Sequence, residues 1–303
     1  MGKDERVTPD EDLASPAGPR SGVELSRPPV AKRLPRPKVL DAHVHLLPER
    51  LAAKIRRFFE MRQAPRLIYP YEPGPARQAL VAAGVERCWS LPYAHKGGVA
   101  SGLNRWMAET WGPDPFVVPG ATVHPDDDVA AVVREAARDL GLKVFKIHCS
   151  VGSFAPDDPR LDPLWKHASE TGCPVVVHGG SAPEGTATES EIATVERTAL
   201  RFPEARIIVA HFGAPAVERV AGLIRRGRWV YADLTPMVAT PVEPPRSLLA
   251  GIERRVLFGS DTPTVGVAIE ASIARVRSWA LDPEDERAIL GGTAEALLRN
   301  AAG

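Results

Sequence analysis

The chain repeats one local pattern. A short β-branched, apolar run closes on a polar residue, and a longer stretch follows with apolar residues three and four apart. The first element has the texture of a strand covered on both faces, the second that of an amphipathic helix. Candidate strands lie at 39–45, 87–93, 116–124, 142–148, 174–178, 206–211, 229–234 and 256–261. The clearest helical patterns between them span 127–140, 161–171, 189–202 and 215–226. Gly141, Gly172 and Pro203 follow three of these helices, where a left-handed cap or a helix stop belongs. Eight strands and about eight helices in roughly 265 residues is the size of a (β/α)8 barrel. A doubly wound open sheet is the alternative, but neither G-x-G-x-x-G nor G-x-x-x-x-G-K-[ST] occurs to make its phosphate loop. The predicted class is α/β, a (β/α)8 TIM barrel.

The pattern begins abruptly at Lys38. Residues 1–36 mix charge, Pro, Ser and Gly without apolar period, and are expected to form a disordered tail ahead of a barrel domain at 37–303. Lys+Arg and Asp+Glu each count 38, which argues against a nucleic-acid partner. No apolar run reaches the roughly 18 residues of a membrane span. Three cysteines without a C-x-x-C rule against a disulfide framework or a cysteine zinc site. The first residues hold no apolar signal core, and Arg6 stands where a myristoylation motif needs Ser or Thr. The expectation is a cytoplasmic enzyme with a small-molecule substrate, with a homodimer as the candidate assembly.

Seven of the eight histidines (His43, His45, His95, His124, His148, His178, His211) fall at or just past a predicted strand end; only His167 lies within a helix. In a barrel all strand C-termini open on one face, and that face carries the chemistry. His43 and His45, two apart in D-A-H-V-H, point the same way and make half a site for zinc or a similar borderline metal. A chance H-x-H on a loop is the plain alternative. His178, His211 and Asp261 close the fifth, sixth and eighth predicted strands. Their plain alternatives are a core histidine for His211 and a helix cap before Thr262-Pro263 for Asp261.

Taken in order, D-A-H-V-H, K-I-H, V-V-V-H-G-G, V-A-H-F-G and F-G-S-D-T-P resemble the amidohydrolase superfamily. More narrowly they are similar to its amidohydrolase-related branch, which includes aminocarboxymuconate-semialdehyde decarboxylase, aromatic-acid decarboxylases and dicarboxylate lactonases. The likeness runs from about Lys38 to near the C-terminus. It implies that His43, His45, His178 and Asp261 hold one divalent metal, zinc foremost with manganese or iron as alternatives. It also implies that His211 is the acid–base residue beside it. Such a cation acidifies water towards a pKa of about 7. Asp261 is then both metal ligand and proton acceptor.

Lys146 and His148 share a face of the fourth predicted strand. In binuclear relatives a carbamylated lysine at this strand end bridges two metals. Lys146 is equally readable as a clamp for a substrate carboxylate or as a buried partner of Asp41 or Asp261. His95, Lys96, Asn104, Arg105 and His124 follow neighbouring strands, and together with Lys146 and His148 suggest a cationic rim for a carboxylate-bearing substrate. The segment 56–77, with Phe58, Phe59, Tyr69 and Tyr71, is expected to fold over the mouth as a lid, beneath the first helix, or against a second subunit. The leading activity is hydrolysis of an amide, lactone or ester bond. Non-oxidative decarboxylation of an unsaturated or aromatic acid is the alternative on the same residues, and a metal-free binding barrel the third reading.

Overall fold

The computed structural model describes residues 38–61, 67–179, 189–235 and 246–301. The expected tail at 1–36 lies outside the described residues. Nine short strands run through the described part: β1 (Leu40–Val44), β2 (Arg87–Ser90), β3 (Val117–Pro119), β4 (Ala121–Thr122), β5 (Phe145–Ile147), β6 (Val175–Val177), β7 (Ile207–Val209), β8 (Val230–Asp233) and β9 (Val256–Leu257). All pair in parallel, as β1-β2-β3 and β4-β5-β6-β7-β8-β9.

The third predicted strand, 116–124, is broken into β3 and β4 at Gly120. A side chain there would meet the Ser90 carbonyl at 2.9 Å, so the chain passes close against β2 and only glycine fits. Gly120 N–H bonds the Ser90 carbonyl and Ala121 N–H the Val144 carbonyl, so the two sheets join across this point. The other seam closes through Ala42 N–H to Phe258 O, Asp261 N–H to His43 O and a parallel bridge between Val44 and Thr262. The strands thus form the predicted barrel.

Alternate residues on each strand divide between two apolar layers, as a two-residue side-chain period requires. Val175, Val177, Ile207 and Val209 pack outward beneath the helices. Val176, Ile208, Trp89, Val144, Tyr231 and Leu257 fill the interior. Helices Asp162–Thr171, Glu189–Arg201 and Val217–Arg226 match the predicted 161–171, 189–202 and 215–226 closely. The 127–140 pattern is instead an α-helix at Val129–Arg134 that widens into a π-turn at Glu135–Asp139. Gly141 and Gly172 take the left-handed φ (+67° each) of helix-ending glycines. No described helix is long and apolar enough to cross a membrane.

On β1 the alternation slips. Leu40 and Ala42 lie in the interior layer, but Val44 lies in the outer one. The β1–β2 register shifts between Asp41 and Val44, so three steps on β1 span two on β2, from Cys88 to Ser90. This bulge turns His43 and His45 towards the mouth. Without it they would share the outward parity of Val39.

Candidate metal centre

The interior line of each strand passes from apolar residues at depth to polar ones at the C-terminal end: Val144 to Lys146 to His148, Val176 to His178, Tyr231 to Asp233. Three donor groups meet there, with one atom each of His43, His45 and Asp261 within 4.8 Å of one another. His45 Nε2 is 3.0 Å from Asp261 Oδ1, and His43 Nε2 is 3.9 Å from it. Asp261 adopts φ +58°, a left-handed conformation costly for a residue with a side chain, and this turns its carboxylate towards the histidines.

Hydrogen bonds set the tautomers. The Leu91 carbonyl can only accept, so His45 Nδ1–H donates to it at 2.7 Å, which turns its Nε2 to Asp261. His43 Nδ1–H donates to Asp233 Oδ2 at 2.8 Å, freeing its Nε2 lone pair. His211 Nδ1–H donates to the Thr235 carbonyl at 2.7 Å, so its Nε2 accepts from His178 Nδ1–H at 3.2 Å. The remaining His178 Nε2 is buried and, among the described residues, has no hydrogen-bond partner. His43 and His178 therefore carry an unprotonated Nε2, the form a metal needs, while His45 Nε2 bonds Asp261. His178 stands outside the tight three-atom cluster, but a buried ring nitrogen without a partner is the group a cation satisfies. The donors of His43, His45 and Asp261 fit a divalent metal, and His178 Nε2 offers a further nitrogen beside them.

Asp233 is the hub beneath this set. Besides His43, its Oδ1 accepts from His211 N–H (2.9 Å), Thr235 N–H (3.2 Å) and Thr235 Oγ1–H (2.6 Å). The bond to His211 N–H holds His211 at φ +58°, so one carboxylate fixes a putting-in-place of both a candidate ligand and the candidate acid–base residue. Asp41 Oδ1 accepts from His43 N–H and Ser260 N–H, tying β1 to the loop that carries Asp261.

The electrostatics agree. Burial, reinforced by the Lys146 charge, lowers His43 to about 4, and burial above all lowers His178, His148 and His211. These four imidazoles are neutral at pH 7. Burial pushes Asp261 and Asp233 upward, yet the bonded and neighbouring histidines outweigh it and hold both carboxyls well below their usual range. Burial raises Asp41 to about 7 and lowers Lys146 to about 8.

Of the predicted contact residues, Lys146 and His148 belong to the site. Lys146 is fully buried with Nζ 3.3 Å from His43 Nε2, so its nearest partner is an imidazole rather than Asp41 or Asp261. His148 stacks on His178 with ring centres 3.8 Å apart. Arg105 and His124 have partners away from the three-atom cluster. Arg105 is exposed and pairs with Glu135 at 2.6 Å on the helical layer, because inward-facing Asn104 beside it turns it away around the helix. Both ring nitrogens of buried His124 are used by backbone, donating to Gly152 O and accepting from Asp126 N–H. His95 is exposed, under the charges of Lys96 and Lys54. The sequence reading missed Asp233, Thr235 and Tyr93, whose ring lies 5.4 Å from that of His45 and 5.0 Å from that of His148. Asp233 carried a usable signal: it closes a predicted strand, as the histidines do.

A parallel α/β barrel with histidines and an aspartate gathered at its strand C-termini defines an enzyme of the barrel class that works at that face. The amidohydrolase family pattern matches residues 40–299, and the chain belongs to that family, an enzyme of the amidohydrolase superfamily. In fold it is similar to an uncharacterized TIM-barrel protein from Bordetella bronchiseptica (20% identity, 87% of this chain and 99% of that one, TM-score 0.70). It is also similar to 5-carboxyvanillate decarboxylase from Sphingomonas paucimobilis (13% identity, 86% and 99%, TM-score 0.65). A third likeness is to an amidohydrolase from Burkholderia multivorans with bound zinc (16% identity, 86% and 99%, TM-score 0.56). No curated protein matches the chain in sequence.

Proposed function

We propose that this chain is a metal-dependent hydrolase that cleaves a C–N or C–O bond, in an amide, lactone or ester, of a small carboxylate-bearing molecule. The observation that carries this reading is the cluster of His43, His45 and Asp261 donor atoms, with tautomers that leave Nε2 of His43 and His178 unprotonated. A single divalent cation, zinc foremost, supplies Lewis acidity there, acidifying water and polarising a substrate oxygen. Asp261 stays ionised and accepts a proton at its carboxylate. His211, neutral and anchored through Nδ1 to Thr235, has an unprotonated Nε2 that takes up the proton Asp261 has accepted and passes it to the leaving group. Lys146 lines the same mouth and favours an anionic substrate, with Lys96 and Lys54 adding positive charge near neutral His95 outside. The three cysteines are free, which suits a cytoplasmic location.

The fold likeness to a carboxyvanillate decarboxylase supports a second reading, carbon protonation with loss of carbon dioxide at the same residues. A panel of carboxylate-bearing lactones, esters and amides, turned over by zinc-loaded protein in 18O-water, separates the two. Hydrolysis places 18O in the product acid and stops when metal is stripped. Release of carbon dioxide from an aromatic acid without 18O uptake would replace hydrolysis by decarboxylation.

A further inference from the structure

Tyr71 lies in the stretch 67–72, between helices Glu49–Met61 and Pro73–Ala82 and outside the strand order. The residue is nevertheless 3% exposed, and its hydroxyl is buried without a hydrogen-bond partner among the described residues. A buried hydroxyl left unpaired is a standing cost, and folded proteins rarely keep one without use. The segment is held deliberately. Tyr69, two residues earlier, accepts from Ile269 N–H at 2.9 Å and donates to Glu270 at 3.3 Å, which pins it to the helix after the Asp261 loop. Burial first, then the charge of Asp261 and the hydroxyl of Tyr93, raise the Tyr71 phenol above its usual range. The group therefore lies within electrostatic reach of Asp261 and Tyr93 and keeps its proton. At neutral pH it donates a hydrogen bond.

We propose that Tyr71 is a specificity-determining residue that donates its hydroxyl hydrogen to a carboxylate oxygen of a planar substrate bound beside Asp261. The acceptor is anionic because buried Lys146 stands in the same mouth, and it is carried on a flat molecule because the stacked His148 and His178 rings and Tyr93 offer flat faces. This rests on the proposed function above and names which residue reads the substrate. It also gives the predicted lid segment a definite task.

The test is calorimetric titration of the zinc-loaded full chain with benzoate, and with its neutral counterpart benzamide, in wild type and Tyr71→Phe. Benzoate should bind wild type more tightly than benzamide does. In Tyr71→Phe its affinity should fall about tenfold or more, the usual scale for a hydrogen bond to a charged acceptor. Benzamide should change far less. Ligand-free Tyr71→Phe should melt no lower than wild type, because the lost hydroxyl had no partner; a drop in melting temperature would assign Tyr71 to structure and overturn the proposal. Equal benzoate affinity in both proteins, or no benzoate binding to wild type, also overturns it. Zinc content is measured first: a wild type that takes up no zinc overturns the metal reading as well, whereas zinc-loaded proteins that ignore the substitution overturn the role of Tyr71 alone.

Discussion

Asp233→Asn isolates the hub of the site while changing almost no volume. Asp233 Oδ1 accepts three hydrogen bonds, from His211 N–H, Thr235 N–H and Thr235 Oγ1–H, so the asparagine oxygen belongs in that position. The new NH2 group then faces His43 Nδ1, where the native carboxylate accepts at 2.8 Å. Donor meets donor. His43 must shift its proton to Nε2 to relieve the clash, and that removes the lone pair offered towards Asp261. Loss of such a ligand-orienting carboxylate costs about 10- to 100-fold in metal affinity, or about 1.4 to 2.8 kcal/mol. The assay is zinc competition against a chromophoric chelator at fixed pH, in wild type, Asp233→Asn, His43→Ala and the double variant. If Asp233 acts through His43, the substitution should add little further loss once His43 is gone. Wild-type zinc affinity in Asp233→Asn, or fully additive losses in the double variant, would refute the reasoning.

A methyl group at Gly259 would meet Thr235 Cγ2 at 2.5 Å and His43 Cβ at 2.8 Å, so Gly259→Ala should weaken zinc binding at least several-fold without removing any donor; the same chelator competition reads it. Burial raises Asp41 from 3.8 to about 7, so the folded chain holds this proton where the unfolded chain releases it, and the stability it contributes is complete below the unfolded value and lost as pH rises through about 7. The melting temperature of Asp41→Asn minus that of wild type should therefore climb between pH 4 and 8, and a flat or falling difference contradicts the assignment. Arg105→Ala should leave KM unchanged and shift stability by less than about 1 kcal/mol, the range for an exposed ion pair; a large rise in KM would restore Arg105 to the rim.

Much of this was legible because chemistry and period coincide. Val176 and Ile208 read as interior strand residues by alternation, and His178 follows Val176 two steps on, so its direction was readable as well. His43 and His45 were readable as a pair, though not for the reason alternation gives: they reach the mouth through a bulge that nothing in D-A-H-V-H announces, since a bulge depends on the register of the neighbouring strand. Gly120 hid a similar break, visible only once Ser90 packs against it. The partners of Arg105 and His124 were not legible, because helix phase and local backbone bonding, not nearness in sequence to a strand end, decide where a side chain points. Asp233 was overlooked because its partners lie on β1, after β7 and after β8, so its role exists only in the folded ring.

The central claim is that one divalent cation sits among His43, His45, His178 and Asp261. Anomalous diffraction at the zinc edge from crystals of the zinc-loaded protein tests it most directly. The account expects a single strong peak at about 2.0–2.2 Å from a nitrogen of each histidine and an oxygen of Asp261. A peak elsewhere on the molecule, or none among these four residues, would contradict it.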